Sequence, residues 1–288
     1  MLSDDARSGW VVDCTLGGGG HSEAILKSAP ESVCVLGVDR DPDAIEVASE
    51  RLAPYGERAR VHRGRFGDVA DIVAEEGVGP VVGMLFDLGV SSAQLDRPGR
   101  GFSFRAEGPL DMDMERRGEE RALSVLAGME WRHLAQVLGD YGEVPRAGAV
   151  ARVIVRAVSE SKIHSTSDLA ALIEKEFAWF RKGGKHPATR VFQAIRIEVN
   201  NEVGELEGAL AAIPEVLDNG GVAAMISYHS GEDRMVKHGF RGLVKGGGFE
   251  LPFRRPVAPT DSEVQENPRA RSAKLRAIKR ISGEVNYA

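Results

Sequence analysis

The sequence predicts an α/β fold, an open sheet with helices packed on it, interrupted by an all-helical subdomain. Three observations carry this expectation. Trp10, Val11 and Val12 run as a short apolar strand into Asp13-Cys14-Thr15-Leu16-Gly17-Gly18-Gly19-Gly20-His21-Ser22, and residues 23–27 leave it with helix-forming side chains. Two further apolar runs, 33–38 and 81–86, each end in an aspartate, Asp39 and Asp87. Across 119–181 the apolar residues instead recur at helical spacing.

Taken in order, Pro42 and Asp43 open a helix that stops before Pro54 and Gly56. Residues 60–63 read as a short strand, 69–76 as a helix and 81–86 as a buried strand. The segment 93–114 is long and rich in glycine and proline, and structured loops of that length are usually functional. Leu123, Leu126, Leu134, Val137 and Leu138, then Val150, Val153, Ile154 and Ala157, form apolar stripes that serve as packing surface. Ser165-Thr166-Ser167-Asp168 is a capping box at the head of a further helix, which is expected to bury Leu169, Leu172, Ile173, Phe177 and Phe180. A basic, glycine-containing stretch over 181–187 returns the chain to the sheet domain. Helices over 189–199 and 202–217 then precede strands over 222–228 and 249–253. The expected boundaries are 1–105 and 186–288 for the sheet domain and 106–185 for the helical insertion.

With 288 residues, 42% apolar and 28% charged, the chain can bury one α/β core and a smaller second unit. No apolar run approaches the roughly 20 residues of a membrane span. The N-terminus lacks the basic and apolar regions of a signal peptide, so a cytoplasmic location is expected. Cys14 and Cys34 form no C-x-x-C pair, which predicts reduced thiols and no metal site. A net charge of −6 argues against wholesale coating of nucleic acid. Its distribution is uneven, however: residues 267–280 hold Arg269, Arg271, Lys274, Arg276, Lys279 and Arg280 and no acid. Such a run is either the solvated face of a helix or a phosphate-binding face.

Four successive glycines admit either a plain chain reversal or the close approach of a ligand to the N–H groups of a helix start. Asp39, about 20 residues further on, weighs toward the ligand, because an acid there accepts the ribose hydroxyls of an adenosine cofactor. NAD and S-adenosylmethionine both meet that description. The loop departs from G-x-G-x-x-G by putting Ser22 where the third glycine would fall, and Asp13 before it favours methyl transfer. Asp87-Leu88-Gly89-Val90-Ser91-Ser92 follows the fourth strand, where ligands of open α/β sheets sit, so the reacting groups are expected there. Phe66, after the third strand, either flanks the adenine or belongs to the core. His229 follows the strand over 222–228 and is either structural or catalytic.

Seven stretches matched in order make the chain resemble the bacterial 16S rRNA (cytosine-N4)-methyltransferase family (RsmH/MraW). They are residues 13–22, Asp39-Arg40-Asp41-Pro42, residues 87–92, Gly101-Phe102-Ser103-Phe104, Gly108-Pro109-Leu110-Asp111-Met112, His186-Pro187-Ala188-Thr189-Arg190 and residues 267–276. The resemblance implies a class I S-adenosylmethionine-dependent methyltransferase (Rossmann-like) sheet domain with an inserted all-helical subdomain. It also implies methylation of N4 of a decoding-region cytidine in 16S rRNA, with the small ribosomal subunit as partner and a homodimer as a possible assembly. Carried over by motif, the cofactor contacts are Gly19, Gly20, His21, Asp39, Asp87 and Gln94, with Phe66 a looser match. Family members usually carry a longer segment before the glycine loop, whereas twelve residues precede Asp13 here.

An exocyclic cytosine amine is a poor nucleophile, because its lone pair is delocalised into the ring. It must be held in line with the methyl donor while its hydrogen is accepted. Methylation at C5 would require a cysteine nucleophile, and neither Cys14 nor Cys34 sits in a site loop. With no Asp-Pro-Pro-Tyr tetrad in the chain, the acceptor is the Asp87 carboxylate, a carbonyl of Leu88 or Gly89, or the Ser91 hydroxyl; Asp87 is preferred. Extrusion of the base would give Phe102 and Phe104 as walls, unless they only anchor their loop. Lys182, Lys185, Arg254, Arg255, Arg269, Arg271, Lys274 and Arg276 are the expected phosphate contacts. The competing classes are an NAD-dependent oxidoreductase and a non-catalytic RNA-binding or ribosome assembly factor that retains the pocket.

Overall fold

A computed structural model describes residues 8–118, 120–180 and 186–281. The chain begins with β1 (Gly9–Asp13), α1 (Gly20–Ser28), β2 (Val33–Asp39), α2 (Pro42–Leu52), β3 (Ala59–Arg63), α3 (Val69–Glu75) and β4 (Val81–Asp87). Of these strands β1, β2 and β4 are largely apolar runs because helices cover both sheet faces: Val12, Leu36, Met84 and Phe86 are all buried. Asp41 caps α2 by accepting the Asp43 N–H at 3.0 Å, and Pro42 supplies the preset φ of a first helical residue.

After β4 come α4 (Ser92–Asp96), α5 (Arg121–Ala127), α6 (Trp131–Asp140), α7 (Ala147–Ser159), α8 (Thr166–Phe177) and α9 (Ala188–Val199). The remainder is α10 (Glu202–Val216), β5 (Leu217–Ser227), α11 (Ser230–Gly246), β6 (Phe249–Glu250), α12 (Asp261–Glu266) and β7 (Lys274–Arg280). The seven strands form one sheet in the order β3-β2-β1-β4-β5-β7-β6. Neighbours from β3 through to β5 are parallel, and β7 is antiparallel to both β5 and β6. Among the described residues, no helix is long and apolar enough to cross a membrane.

The chain divides into two compact units, Val90–Val203 and the residues before and after it. The helical unit is therefore wider than the expected 106–185. Phe102 on one side, and Val191, Phe192, Ala194 and Ile195 of α9 on the other, bury their side chains in the same core as Leu134, Leu138 and Ile154.

Two elements near the C-terminus also differ from expectation. The strand over 249–253 shrinks to Phe249–Glu250. The basic run is a short 3-10 turn, Pro268–Ser272, followed by β7, and not a helix face. Six consecutive positions of β7 meet β5 in a regular antiparallel register from Val222↔Lys279 to Ser227↔Lys274, and Ala277 and Ile278 are buried. A charged sequence can hold a central strand in this way, because its long side chains reach out past the sheet while the small and branched residues pack.

Candidate active site

The glycine loop is built by hydrogen bonds from both flanking strands. Asp13, at the end of β1, is fully buried; its carboxylate accepts the Ser22 hydroxyl at 2.7 Å and the Thr15 N–H at 3.4 Å. Gly17 and Gly19 have φ of 49° and 77°, the left-handed region that only glycine enters cheaply, and α1 starts at the residue after Gly19. Gly37 of β2 leaves room for Leu16, since a Cβ there would lie 2.5 Å from its side chain.

Asp39, at the end of β2, accepts the Gly17 N–H at 2.8 Å and the Asp41 N–H at 2.9 Å, one on each carboxylate oxygen. A carboxylate offers about four acceptor positions, so both oxygens keep capacity for two ribose hydroxyls.

Asp87, at the end of β4, is tied to this loop through its own N–H, which donates to the Thr15 hydroxyl at 2.6 Å. The Tyr228 hydroxyl, just past β5, donates to Asp87 Oδ1 at 2.8 Å. Glu232, in the first turn of α11, accepts the N–H of Tyr228 at 2.8 Å and of His229 at 3.2 Å, which fixes the backbone that carries the tyrosine. His229 caps the same helix, its Nδ1 accepting the Glu232 N–H at 3.3 Å. Its Nε2 is buried 3.1 Å from Glu232 Oε1 but out of line for a hydrogen bond. Of the two readings of His229, the structure favours the structural one.

Three carboxylates, Asp13 buried and Asp39 and Asp87 half-buried, thus end three neighbouring parallel strands. Desolvation pushes the pKa of each above the ordinary range. For Asp13 the Ser22 hydrogen bond and the charge of His21 oppose the rise. At Asp39 the opposition comes from the Asp41 and Gly17 amides. At Asp87 it comes from the Tyr228 hydroxyl, then His21. The phenol of Tyr228 is in turn pushed far above its ordinary value by burial and the Asp87 charge, so it stays a neutral donor. Negative groups held out of water favour a ligand that brings positive charge. A glycine loop, an acid with spare acceptor capacity and an edge that prefers a cation fit S-adenosylmethionine, whose sulfonium and amino groups are positive; NAD brings two phosphate charges to the same edge.

Phe66 lies partly buried after β3, edge-on to Phe86 with ring centroids 6.2 Å apart. Its loop is set by Glu205 of α10, which accepts the Gly67 N–H at 3.0 Å, and by Gly208, where a Cβ would lie 2.7 Å from the Gly67 carbonyl oxygen. Gly19 is buried, whereas Gly20 and His21 are exposed at the start of α1.

Several expected residues belong to the helical unit. Ser91 and Gln94 form a capping box on α4: Ser91 Oγ accepts the Gln94 N–H at 3.2 Å, and Gln94 Oε1 accepts the Ser91 N–H at 2.9 Å. Ser91 thus serves as the N-cap of α4, with one of its two hydroxyl lone pairs engaged. Phe102 is in the core of its unit, and Phe104 packs on Phe192 and His186 at centroid distances of 4.8 and 4.9 Å. Both rings anchor their loop, so of the two readings left open for them this packing favours the anchoring one. Asn200 braces that loop as well, donating to the Met112 carbonyl at 2.7 Å and accepting the Met114 N–H at 3.0 Å.

The expected phosphate contacts also separate. Lys182 and Lys185 lie outside the described residues. Lys274 and Arg276 converge on Asp233, at 3.0 and 2.7 Å, so much of their charge is already answered. Arg254, Arg255, Arg269 and Arg271 are exposed.

The profile of the MraW methylase family matches residues 2–281. The chain belongs to the MraW methylase family. Among its relatives, the Ribosomal RNA small subunit methyltransferase H of Sorangium cellulosum (strain So ce56) is 46% identical over 275 residues, covering 96% of this chain and 86% of that protein. The protein of the same name from Anaeromyxobacter sp. (strain Fw109-5) is 45% identical over 289 residues, covering 94% and 91%. The fold is accordingly that of class I, Rossmann-like methyltransferases. Within this MraW fold, sequence reasoning missed Thr15, Tyr228 and Glu232. A tyrosine immediately beyond an apolar strand that neighbours the one ending in Asp87 was the available signal for Tyr228.

Proposed function

We propose that this MraW-family chain transfers the methyl group of S-adenosylmethionine to the N4 amine of a cytidine in the decoding region of 16S rRNA. The observation that carries the reading is the Asp87 carboxylate, held at a sheet end beside the glycine loop with one oxygen engaged by Tyr228. The relatives' names supply the substrate class, small-subunit ribosomal RNA.

S-adenosylmethionine, when bound, supplies an electrophilic methyl on a positively charged sulfur. Gly17, Gly19 and Gly20 present the backbone, Asp39 accepts the ribose hydroxyls and Phe66 flanks the adenine. Asp87 accepts a hydrogen from the cytosine amine and draws its nitrogen toward the methyl, and as nitrogen acquires positive charge the same carboxylate stabilises it and takes the proton. Burial keeps Asp87 more basic than a solvated carboxylate, and Tyr228 aims it. Gly20, His21 and Gln94 complete the proposed cofactor set, the assembled small subunit is the proposed partner, and cytoplasmic location and a homodimer belong to the same reading.

Neither competitor is favoured. The acidic sheet ends disfavour NAD, and the curated relatives are named as methyltransferases, which gives no support to a non-catalytic factor. The test is to incubate the protein with methyl-labelled S-adenosylmethionine and small subunits lacking the modification, then digest the rRNA. Label in N4-methylated cytidine is expected; label in another nucleoside, or none with cofactor bound, would refute the reading.

A further inference from the structure

Away from the carboxylates, α11 presents Lys237, Phe240 and Arg241 at i, i+3 and i+4, and hence on one face. That face, the chain after β6 and Arg276 of β7 enclose a cavity of about 210 Å³, to which Leu251, Phe253 and Arg254 also contribute. Four cations therefore ring one small cavity in a chain whose net charge is −6. Arg276 is answered by Asp233, but Lys237, Arg241 and Arg254 form no ion pair with any described residue. Phe240 is buried beneath them and Phe253 is partly exposed.

Cations without partners beside an aromatic side chain are what single-stranded nucleic acid requires, positive charge for the phosphate and a flat apolar surface for the base. The volume is below that of pockets that enclose a whole small-molecule ligand, but it admits a phosphate with part of one nucleotide. Placement also favours RNA. α11 starts directly after Tyr228 and His229, beside Asp87, and Lys237 and Arg241 lie 7 and 11 residues beyond its first residue, roughly 10–16 Å along the axis. That separation is within reach of the nucleotides flanking a target base at Asp87.

We propose that this cavity is a second RNA-binding site, taking the phosphate of a nucleotide that flanks the methylated cytidine, with its base against Phe253. The proposal rests on the reading of the chain as an rRNA methyltransferase, and it gives α11 two roles: its first turn orients the reacting groups, and its middle grips the strand.

The test uses the full chain and a fluorescently labelled transcript of the 16S decoding region, with affinity measured between 50 and 200 mM salt. Substituting Lys237→Gln, Arg241→Gln and Arg254→Gln together should weaken binding at least tenfold at 50 mM salt. It should also flatten the log–log salt dependence by about 0.7–0.9 for each phosphate that the variant no longer neutralises. Phe253→Ala should weaken binding roughly 5- to 150-fold while leaving the salt slope unchanged. S-adenosylmethionine affinity equal to wild type reports that each variant is folded. Wild-type RNA affinity and slope in the triple variant would overturn the proposal. So would a loss confined to intact small subunits with the naked transcript unaffected, which would assign the cavity to a ribosomal protein. The two readings fail separately: wild type that methylates while the triple variant binds normally removes only the cavity's role. Wild type that binds through these residues but makes no N4-methylcytidine removes only the reaction.

Discussion

The acidic ends of β1, β2 and β4 and the basic strand β7 belong to one sheet, yet they manage charge in opposite ways. At the acidic ends, Asp13 and Asp39 are held by amides and a hydroxyl at most 22 residues away; Asp13 is sealed inside the loop, and Asp39 keeps acceptor capacity for a ligand. Along β7, Lys274 and Arg276 meet the single carboxylate of Asp233, 41 and 43 residues away, which offsets one of their two charges. A run of like charge is therefore no measure of binding capacity; what matters is how many of the charges the fold has already paired.

Breaking the acidic end should have the largest effect. Asp87→Ala is expected to lower the single-turnover rate of methyl transfer about 10²- to 10⁴-fold, the range for losing a positioned proton acceptor. Cofactor affinity should change far less. A variant with near-normal turnover would remove Asp87 from the mechanism.

Asp39→Ala comes next, and it should act on binding rather than rate. Losing hydrogen bonds to a charged acceptor, each worth about 1.5–3 kcal/mol, predicts a roughly 10- to 150-fold weaker S-adenosylmethionine affinity by calorimetric titration. The rate at saturating cofactor should recover most of its wild-type value. Unchanged affinity would contradict the assignment of the ribose site.

The smallest effect is expected at the basic strand, where Asp233→Asn sharpens the contrast. Burial alone would raise the Asp233 pKa, but the hydrogen bonds from Arg276 and Lys274 outweigh it and hold it below the ordinary range. A depressed carboxylate pKa contributes stability that is present above the unfolded value of about 3.9 and is lost as pH falls through the folded value. Urea unfolding should therefore show Asp233→Asn less stable by about 1–2 kcal/mol near pH 7, with the difference closing below about pH 4. The same variant releases two cations and should steepen the salt dependence of RNA binding.

The contrast also explains what could be read from the sequence. The strand, glycine loop and helix, with Asp13 and Asp39, are legible because their partners are close along the chain and each residue type has a local reason to be there. The helices over 119–181 are legible for a similar reason, since their apolar period is internal to each element. Illegible were the contacts that the fold creates between distant strands: Thr15 with Asp87 across 72 residues and Tyr228 with Asp87 across 141. Phe102 and Phe104 were ambiguous for the same reason. An aromatic side chain in a glycine-rich loop has one sequence signature whether it faces a ligand or a core, and only the packing against Phe192 and His186 distinguishes the two.

The central claim is that ionised Asp87, aimed by Tyr228, accepts the proton of the cytosine amine. The most direct test is the pH dependence of the single-turnover rate in wild type beside Tyr228→Phe. Burial raises the Asp87 pKa and the tyrosine hydrogen bond lowers it. The account therefore predicts a wild-type rate that falls toward acid pH with an apparent pKa above the ordinary carboxylate range, and a limb displaced to higher pH in the phenylalanine variant. A flat profile in wild type, or one that the substitution leaves in place, would contradict it.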